Sequence, residues 1–166
     1  MTGKPPRGYR AATYRFSRNT LDILIDEGIH YDASLFGDDV PYVISNTRGR
    51  VYEIPSHYGL DDWPHYQFSR DFDTLMPIKS TRQACEVFRE EFDAAWEFGG
   101  LWVSVWHPFL SGRLARAAAI RKLIDYMQNK GSVWFATLEE ISSHLAEIER
   151  TGRWQPKVDK LPFYDC

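Results

Sequence analysis

Three short stretches of this sequence gather side chains able to do chemistry. They are Arg10-Ala11-Ala12-Thr13-Tyr14, His57-Tyr58-Gly59-Leu60-Asp61-Asp62-Trp63-Pro64 and His107-Pro108-Phe109-Leu110-Ser111-Gly112-Arg113. An imidazole such as that of His107 can hold and release a proton near neutral pH, which a general acid must do. At the mouth of a buried strand it serves either that role or a backbone hydrogen bond closing the strand end. Position alone leaves these two readings even. Asp61 and Asp62 beside Trp63 offer orienting carboxylates next to a flat ring on which a sugar can lie. The same Asp-Trp-Pro run is good turn chemistry, and on its own the turn is the stronger reading. Arg10 presents a planar fork that clamps carboxylates; as an isolated arginine it reads as a surface ion pair.

Other signatures are missing. The five histidines, His30, His57, His65, His107 and His144, form no His-x-x-x-His or similarly close pair, so the chain by itself predicts no metal site. There is no Gly-x-Gly-x-x-Gly, no P-loop and no Gly-x-Ser-x-Gly elbow. Cys85 falls within a predicted helix without an evident histidine partner, which argues against a nucleophilic role. Phe88, Phe92, Trp96, Trp102, Val103, Val105, Tyr126 and Trp134 read as core, and Glu139-Glu140 as a helix-start pair favoured by the dipole.

The elements that must position these residues alternate between strand and helix. A helix is expected from Arg18, capped by Ser17, with Leu21, Leu24 and Ile25 as its apolar face and Gly28 as a left-handed stop. Strands are expected from Ile29 to Leu35 and over Val51-Tyr52-Glu53-Ile54. Residues 56–80 keep no period and carry Gly59, Pro64 and Pro77, the marks of a long functional loop. A helix from Thr81 to about Phe98 follows, with Ala84, Phe88, Phe92 and Ala95 on one side and Gly99-Gly100 at its end. The run Leu101 to Trp106 predicts a buried strand. A helix from Arg113 to Lys130, a strand from Ser132 to Ala136 and a last helix opened by the Thr137/Glu140 capping box complete the pattern. Ile141, Leu145 and Ile148 form the inward side of that helix. This is an α/β arrangement with parallel strands, whose reactive residues belong at the carboxyl edge. About four or five strands are found, against about eight in a closed (β/α) barrel.

Composition narrows the class of partner. The chain has 166 residues, 43% of them hydrophobic and 26% charged, a globular profile without repeats or low-complexity tracts. Twenty Lys plus Arg against 23 Asp plus Glu give a net charge of -3, which argues against a nucleic-acid or anionic-membrane binder. No apolar run approaches the roughly 20 residues of a membrane span, and the N-terminal residues lack the apolar core of a secretory signal. Two cysteines, Cys85 and Cys166, are too few for a disulfide framework, so a cytoplasmic location is expected.

Taken in order, the three clusters resemble the polysaccharide deacetylase family, the NodB-homology domain. They are closest to its peptidoglycan-deacetylase-like and allantoinase-like branch. Gly8-Tyr9-Arg10-Ala11-Ala12 is similar to that branch's Gly-Tyr-Arg-Ala-Pro segment, with Ala12 where proline is usual. Tyr31-Asp32-Ala33-Ser34-Leu35 and Asp38-Asp39-Val40-Pro41-Tyr42 are similar to its Tyr-Asp-Ser-Ser-Leu and Asp-Asp-x-Pro-Tyr segments. Pro55-Ser56-His57 to Trp63-Pro64 and His107-Pro108-Phe109 to Gly112-Arg113 complete a likeness running from about Thr2 to Leu145.

The resemblance implies the C-terminal part of a distorted (β/α) barrel over residues 1–150, followed by an irregular tail over 151–166. It implies amide hydrolysis, with removal of acetyl from an N-acetylated sugar polymer the leading expectation. An allantoinase-like hydrolase of cyclic amides is the alternative. A non-catalytic truncated barrel, acting as an interaction module or as half of a split enzyme, is the third reading. In such enzymes an aspartate activates water, commonly with a divalent metal such as zinc, and a late histidine protonates the departing nitrogen. His107 matches that acid, and Arg10 matches the arginine that positions the base. Asp61, Asp62, Trp63, His57 and Tyr14 are the expected substrate contacts. The family's early Thr-Phe-Asp-Asp-type and His-x-x-x-His-type segments have no counterpart in these residues, so metal ligands are expected from none of them. The exposed edge and inner face of a part-barrel predict a homo-oligomer or a complementing N-terminal half.

Overall fold

The computed structural model describes residues 3–68 and 78–161. Thr2, Cys166 and residues 69–77 of the expected loop lie outside them. The chain divides into two units, the first running to Ser56 and resuming at Phe135, the second covering His57–Trp134.

The first unit is built on a five-stranded sheet of β1 (Gly8–Tyr9), β2 (Tyr31–Asp32), β3 (Tyr42–Ser45), β4 (Arg50–Glu53) and β5 (Val158–Lys160), in the order β1-β2-β4-β3-β5. β1, β2 and β4 are parallel neighbours, as the alternation of elements predicts. β3 departs from that expectation, because it forms an antiparallel hairpin with β4. The reason is local: Asn46 Oδ1 accepts the backbone N–H of Arg48 at 2.8 Å, a side-chain-stabilised turn that reverses the chain within Asn46–Gly49. β5 forms in the stretch expected to be irregular and pairs in parallel with β3.

Helix α1 (Thr20–Asp26) lays Leu21 and Leu24 on Tyr42, Ile44 and Val51 of the sheet. It starts two residues later than expected, since Ser17 does not cap it. The Ser17 hydroxyl instead bonds the Thr20 hydroxyl at 2.8 Å. Gly28 closes the turn after α1 at φ 67°, the left-handed region that glycine enters without strain. Helix α6 (Leu138–Arg150) has the expected capping box, and Glu149 ties it to the sheet through Arg50 at 2.7 Å and the Tyr52 hydroxyl at 2.5 Å.

In the second unit, helix α2 (Trp63–Tyr66), helix α3 (Thr81–Phe98), helix α4 (Pro108–Ser111) and helix α5 (Leu114–Lys130) enclose an aromatic-rich core. Ala84, Phe88 and Phe92 of α3 meet Leu123 and Met127 of α5, with Leu60, Tyr66 and Leu110 beside them. A capping box of Ser80 and Gln83 starts α3, and Gly99 ends it at φ 69°. The two strands expected in this unit do not form among the described residues. Leu101–Trp106 makes a single parallel bridge, Asp61 with Val105. Its indoles go to the helices instead, Trp102 Nε1 donating to the Phe88 carbonyl at 3.1 Å. Residues 132–136 form no strand, and Ser132 turns at φ 55°. Trp96 and Trp134, expected in the core, are 43% and 58% exposed.

Candidate active site

The single bridge between Asp61 and Val105 brings two chain segments side by side. Asp62 N donates to the Val105 carbonyl at 3.0 Å, and Val105 N donates to the Leu60 carbonyl at 3.0 Å. The residues that follow, Asp62 and His107, leave these segments as N-caps of α2 and α4, each with a proline in the first turn. Their side chains meet there. Asp62 Oδ1 lies 2.6 Å from His107 Nδ1, and Asp62 Oδ2 accepts the His107 backbone N–H at 2.9 Å. The Ser111 hydroxyl, one helical turn further along α4, also donates to Asp62 Oδ2.

Asp62 is wholly buried, whereas the His107 side chain is 32% exposed. With Nδ1 held by the carboxylate, Nε2 is the free nitrogen, without a hydrogen-bond partner among the described residues. The ring stands edge-on to Trp63 at 5.4 Å and to Phe109 at 5.8 Å. Beside it opens a cavity of about 360 Å³ walled by Trp106, Pro108, Gly112, Ile120 and Ile124, with Arg121 on its lining. Gly112 is the residue that this tight α4 permits: a Cβ there would stand 2.2 Å from the Pro108 carbonyl oxygen.

The other expected site residues have local tasks. Asp61 and Asp62, expected along a substrate wall, are both buried. Asp61 Oδ1 accepts the Trp63 backbone N–H at 2.8 Å, the turn chemistry that its sequence suggests. His57 Nδ1 accepts from Gly59 N at 3.1 Å and caps the short turn over Tyr58–Leu60, while its Nε2 stands 3.5 Å from Glu91. Trp63 does belong to the His107 surroundings. Ser111 and Phe109 were not singled out from the sequence. The signal available was the spacing His-x-x-x-Ser at a helix start, which puts both residues on one face.

Arg10 and Tyr14 belong to the first unit. Arg10 Nε donates to the Ala33 carbonyl at 2.8 Å, and the next backbone N–H, of Ala11, donates to Ser34 Oγ at 2.7 Å. One guanidinium nitrogen, Nη2, is buried and has no partner among the described residues. The chain then turns through Thr13 at φ 55° and Tyr14 at φ 59°, a strained left-handed pair, and the Tyr14 ring packs edge-on against Phe36 at 4.8 Å.

Among the described residues, Asp61, Asp62 and His107 are the one group of three metal-capable side chains close enough to share an ion. Their donor atoms do not suit that task. His107 Nδ1 and Asp62 Oδ1 are at hydrogen-bond separation with a proton between them. Asp62 Oδ2 and Asp61 Oδ1 already accept from His107 N, Ser111 and Trp63 N. The set is a proton-holding network, and the divalent metal implied by the resemblance finds no cradle in it.

No family model matches the chain. It is 25% identical to a peptidoglycan deacetylase of Helicobacter pylori over 170 residues, covering 86% of this chain and 57% of the relative. It is also 25% identical to a peptidoglycan deacetylase-like protein of Gibberella zeae over 173 residues, covering 84% of this chain and 51% of the relative. The chain thus spans about half the length of the curated relatives it matches. Among solved structures it superposes on a protein described as a polysaccharide deacetylase from Mycobacterium smegmatis with TM-score 0.85 and 35% identity, over 98% of this chain and 55% of that one. It also superposes on an allantoinase with TM-score 0.75 and 26% identity, over 93% and 49%.

Proposed function

We propose that this chain, which falls in the polysaccharide deacetylase family as part of its barrel, carries the proton-donating side of an amide-hydrolase site. The observation that carries this reading is the buried Asp62 holding His107 Nδ1 at 2.6 Å while the ring's other edge stays open. A general acid needs a fixed ring and one reachable nitrogen, and this arrangement suits both. In the doubly protonated imidazolium Asp62 accepts Nδ1–H, and the proton that moves is the one on Nε2. It passes to the amide nitrogen as the carbon–nitrogen bond breaks; the acyl carbon, already bonded to the oxygen of an attacking water, leaves as the carboxylate and the nitrogen departs as the free amine. Ser111 holds Asp62 in place, and Trp63 and Phe109 flank the ring where a sugar would lie. Arg10 is read as the positioning arginine, and its unpartnered buried Nη2 suits a carboxylate brought by residues outside the described set.

The substrate class that fits is an N-acetylated sugar polymer, in line with the names of the sequence relatives. The likeness to an allantoinase structure favours a second reading, hydrolysis of a cyclic amide. The chain joined to the remainder of the barrel distinguishes them. Acetate release from N-acetylglucosamine oligomers supports the first, and ring opening of allantoin without acetate release replaces it with the second. The part-barrel also suits self-association or a complementing partner. A stable dilute monomer by light scattering, unfolding cooperatively, contradicts that part. No helix among the described residues is long and apolar enough to cross a membrane. A cytoplasmic location is retained as the reading of the low cysteine content.

A further inference from the structure

At the carboxyl edge of β2 and β4, two acidic side chains are fully buried: Asp32 and Glu53. They hold one short turn between them. Asp32 accepts from Ser34 N at 2.9 Å and from the Ser34 hydroxyl at 2.8 Å, and Glu53 Oε1 accepts from Leu35 N at 2.9 Å. This turn is also what grips Arg10, through the Ala33 carbonyl on one side and Ser34 Oγ, bonded to Ala11 N, on the other. One atom in the cluster is unaccounted for. Glu53 Oε2 is buried without a hydrogen-bond donor among the described residues, yet Glu53 lies within hydrogen-bonding reach of Asp32.

We infer that Asp32 and Glu53 share a single proton, carried on Glu53 Oε2 and donated to Asp32, and that this acid pair is the positioning element that sets Arg10. Two buried carboxylates in contact cannot both be charged without a counter-ion, whereas one shared proton satisfies the orphan oxygen and removes the repulsion. The ionisable groups around the pair reinforce this. Tyr42 of β3 faces Glu53, and Asp159 of β5 acts on the same tyrosine, so neither neighbour supplies a positive charge. Burial, with Asp32 adding to it, accordingly pushes the Glu53 carboxyl well above the usual range. With one proton the pair keeps a single negative charge, which the Ser34 N–H and hydroxyl take up at Asp32, so the turn meets Arg10 through the Ala33 carbonyl and Nη2 stays available. This last consequence rests on the reading of Arg10 given above; the shared proton does not.

The sign of the pH effect follows. A glutamate whose folded-state affinity for a proton is raised contributes stability fully below the ordinary glutamate range. That contribution drains away as pH rises toward about 10. Carboxyl carbon NMR on the whole chain, with Glu53→Gln used to assign the Glu53 signal, reads the proton directly. One glutamate is expected to remain protonated at neutral pH in the parent chain, and its signal to vanish in E53Q. The unfolding equilibrium constant of the parent is expected to rise by up to about tenfold per pH unit between the ordinary glutamate range and about pH 10, and that of E53Q to stay flatter. E53Q keeps the acceptor for Leu35 N and a donor for Asp32, so it should also retain the hydrogen-bonded Arg10 Nε–H resonance that Glu53→Ala loses. A Glu53 signal that titrates in the ordinary carboxylate range overturns the inference, as does an E53Q stability profile matching the parent's. None of these readouts depends on turnover, so a failed deacetylase assay leaves them standing.

Discussion

At His107 the inward-facing groups are satisfied within one unit, whereas at Arg10 one inward nitrogen is left over. Asp62 uses both oxygens on His107 and Ser111, all from the His57–Trp134 unit. Arg10 is gripped at Nε and left open at Nη2. The first arrangement is closed on itself and fixes the His107 ring. The second is an open socket, a buried donor for which the described residues provide no acceptor.

Substitutions can break this contrast. The largest effect is expected at Asp62, where alanine strips a buried acceptor from three donors and should cost about 3–5 kcal/mol in denaturant unfolding. Ser111→Ala removes one hydrogen bond to a charged acceptor and should cost about 1.5–3 kcal/mol by the same measurement. Arg10→Ala should cost less, about 0.5–1.5 kcal/mol, because only the bond to Ala33 is lost. If Arg10→Ala proves as costly as Asp62→Ala, the socket is a structural pair and the contrast fails. The smallest effect is a gain. Ala11 has φ -63° and ψ 135°, the conformation that precedes proline comfortably. Ala12→Pro should therefore raise stability by about 0.4–1 kcal/mol in the same unfolding experiment, and a loss would mean that the turn aiming Arg10 is set differently.

Much of this was legible in the residues. The helices were readable because capping boxes, apolar spacing and left-handed glycines are local signals, as at Thr137/Glu140 and Gly99. His107 and Arg10 stood out by position and by resemblance. Asp62 was found as a residue but not in its role: a carboxylate beside Trp63 reads as exposed, and its burial depends on a contact 45 residues away. The runs Leu101–Trp106 and Ser132–Ala136 have strand composition, yet pairing is a property of neighbours, and the aromatic side chains pack on helices instead. β5 escaped for the converse reason, since Val158–Lys160 is mostly polar and owes its strand to β3. The Asp32–Glu53 pair was also out of reach, because two acids on separate strands give no sign of burial until the sheet aligns them.

The central claim is that His107 delivers the proton. Its most direct test is steady-state acetate release from N-acetylglucosamine oligomers by the chain joined to the remainder of the barrel, comparing the parent with His107→Ala. The account predicts that kcat falls by about 10²–10⁴-fold with KM little changed. An unchanged kcat would remove His107 from the chemistry and contradict the account.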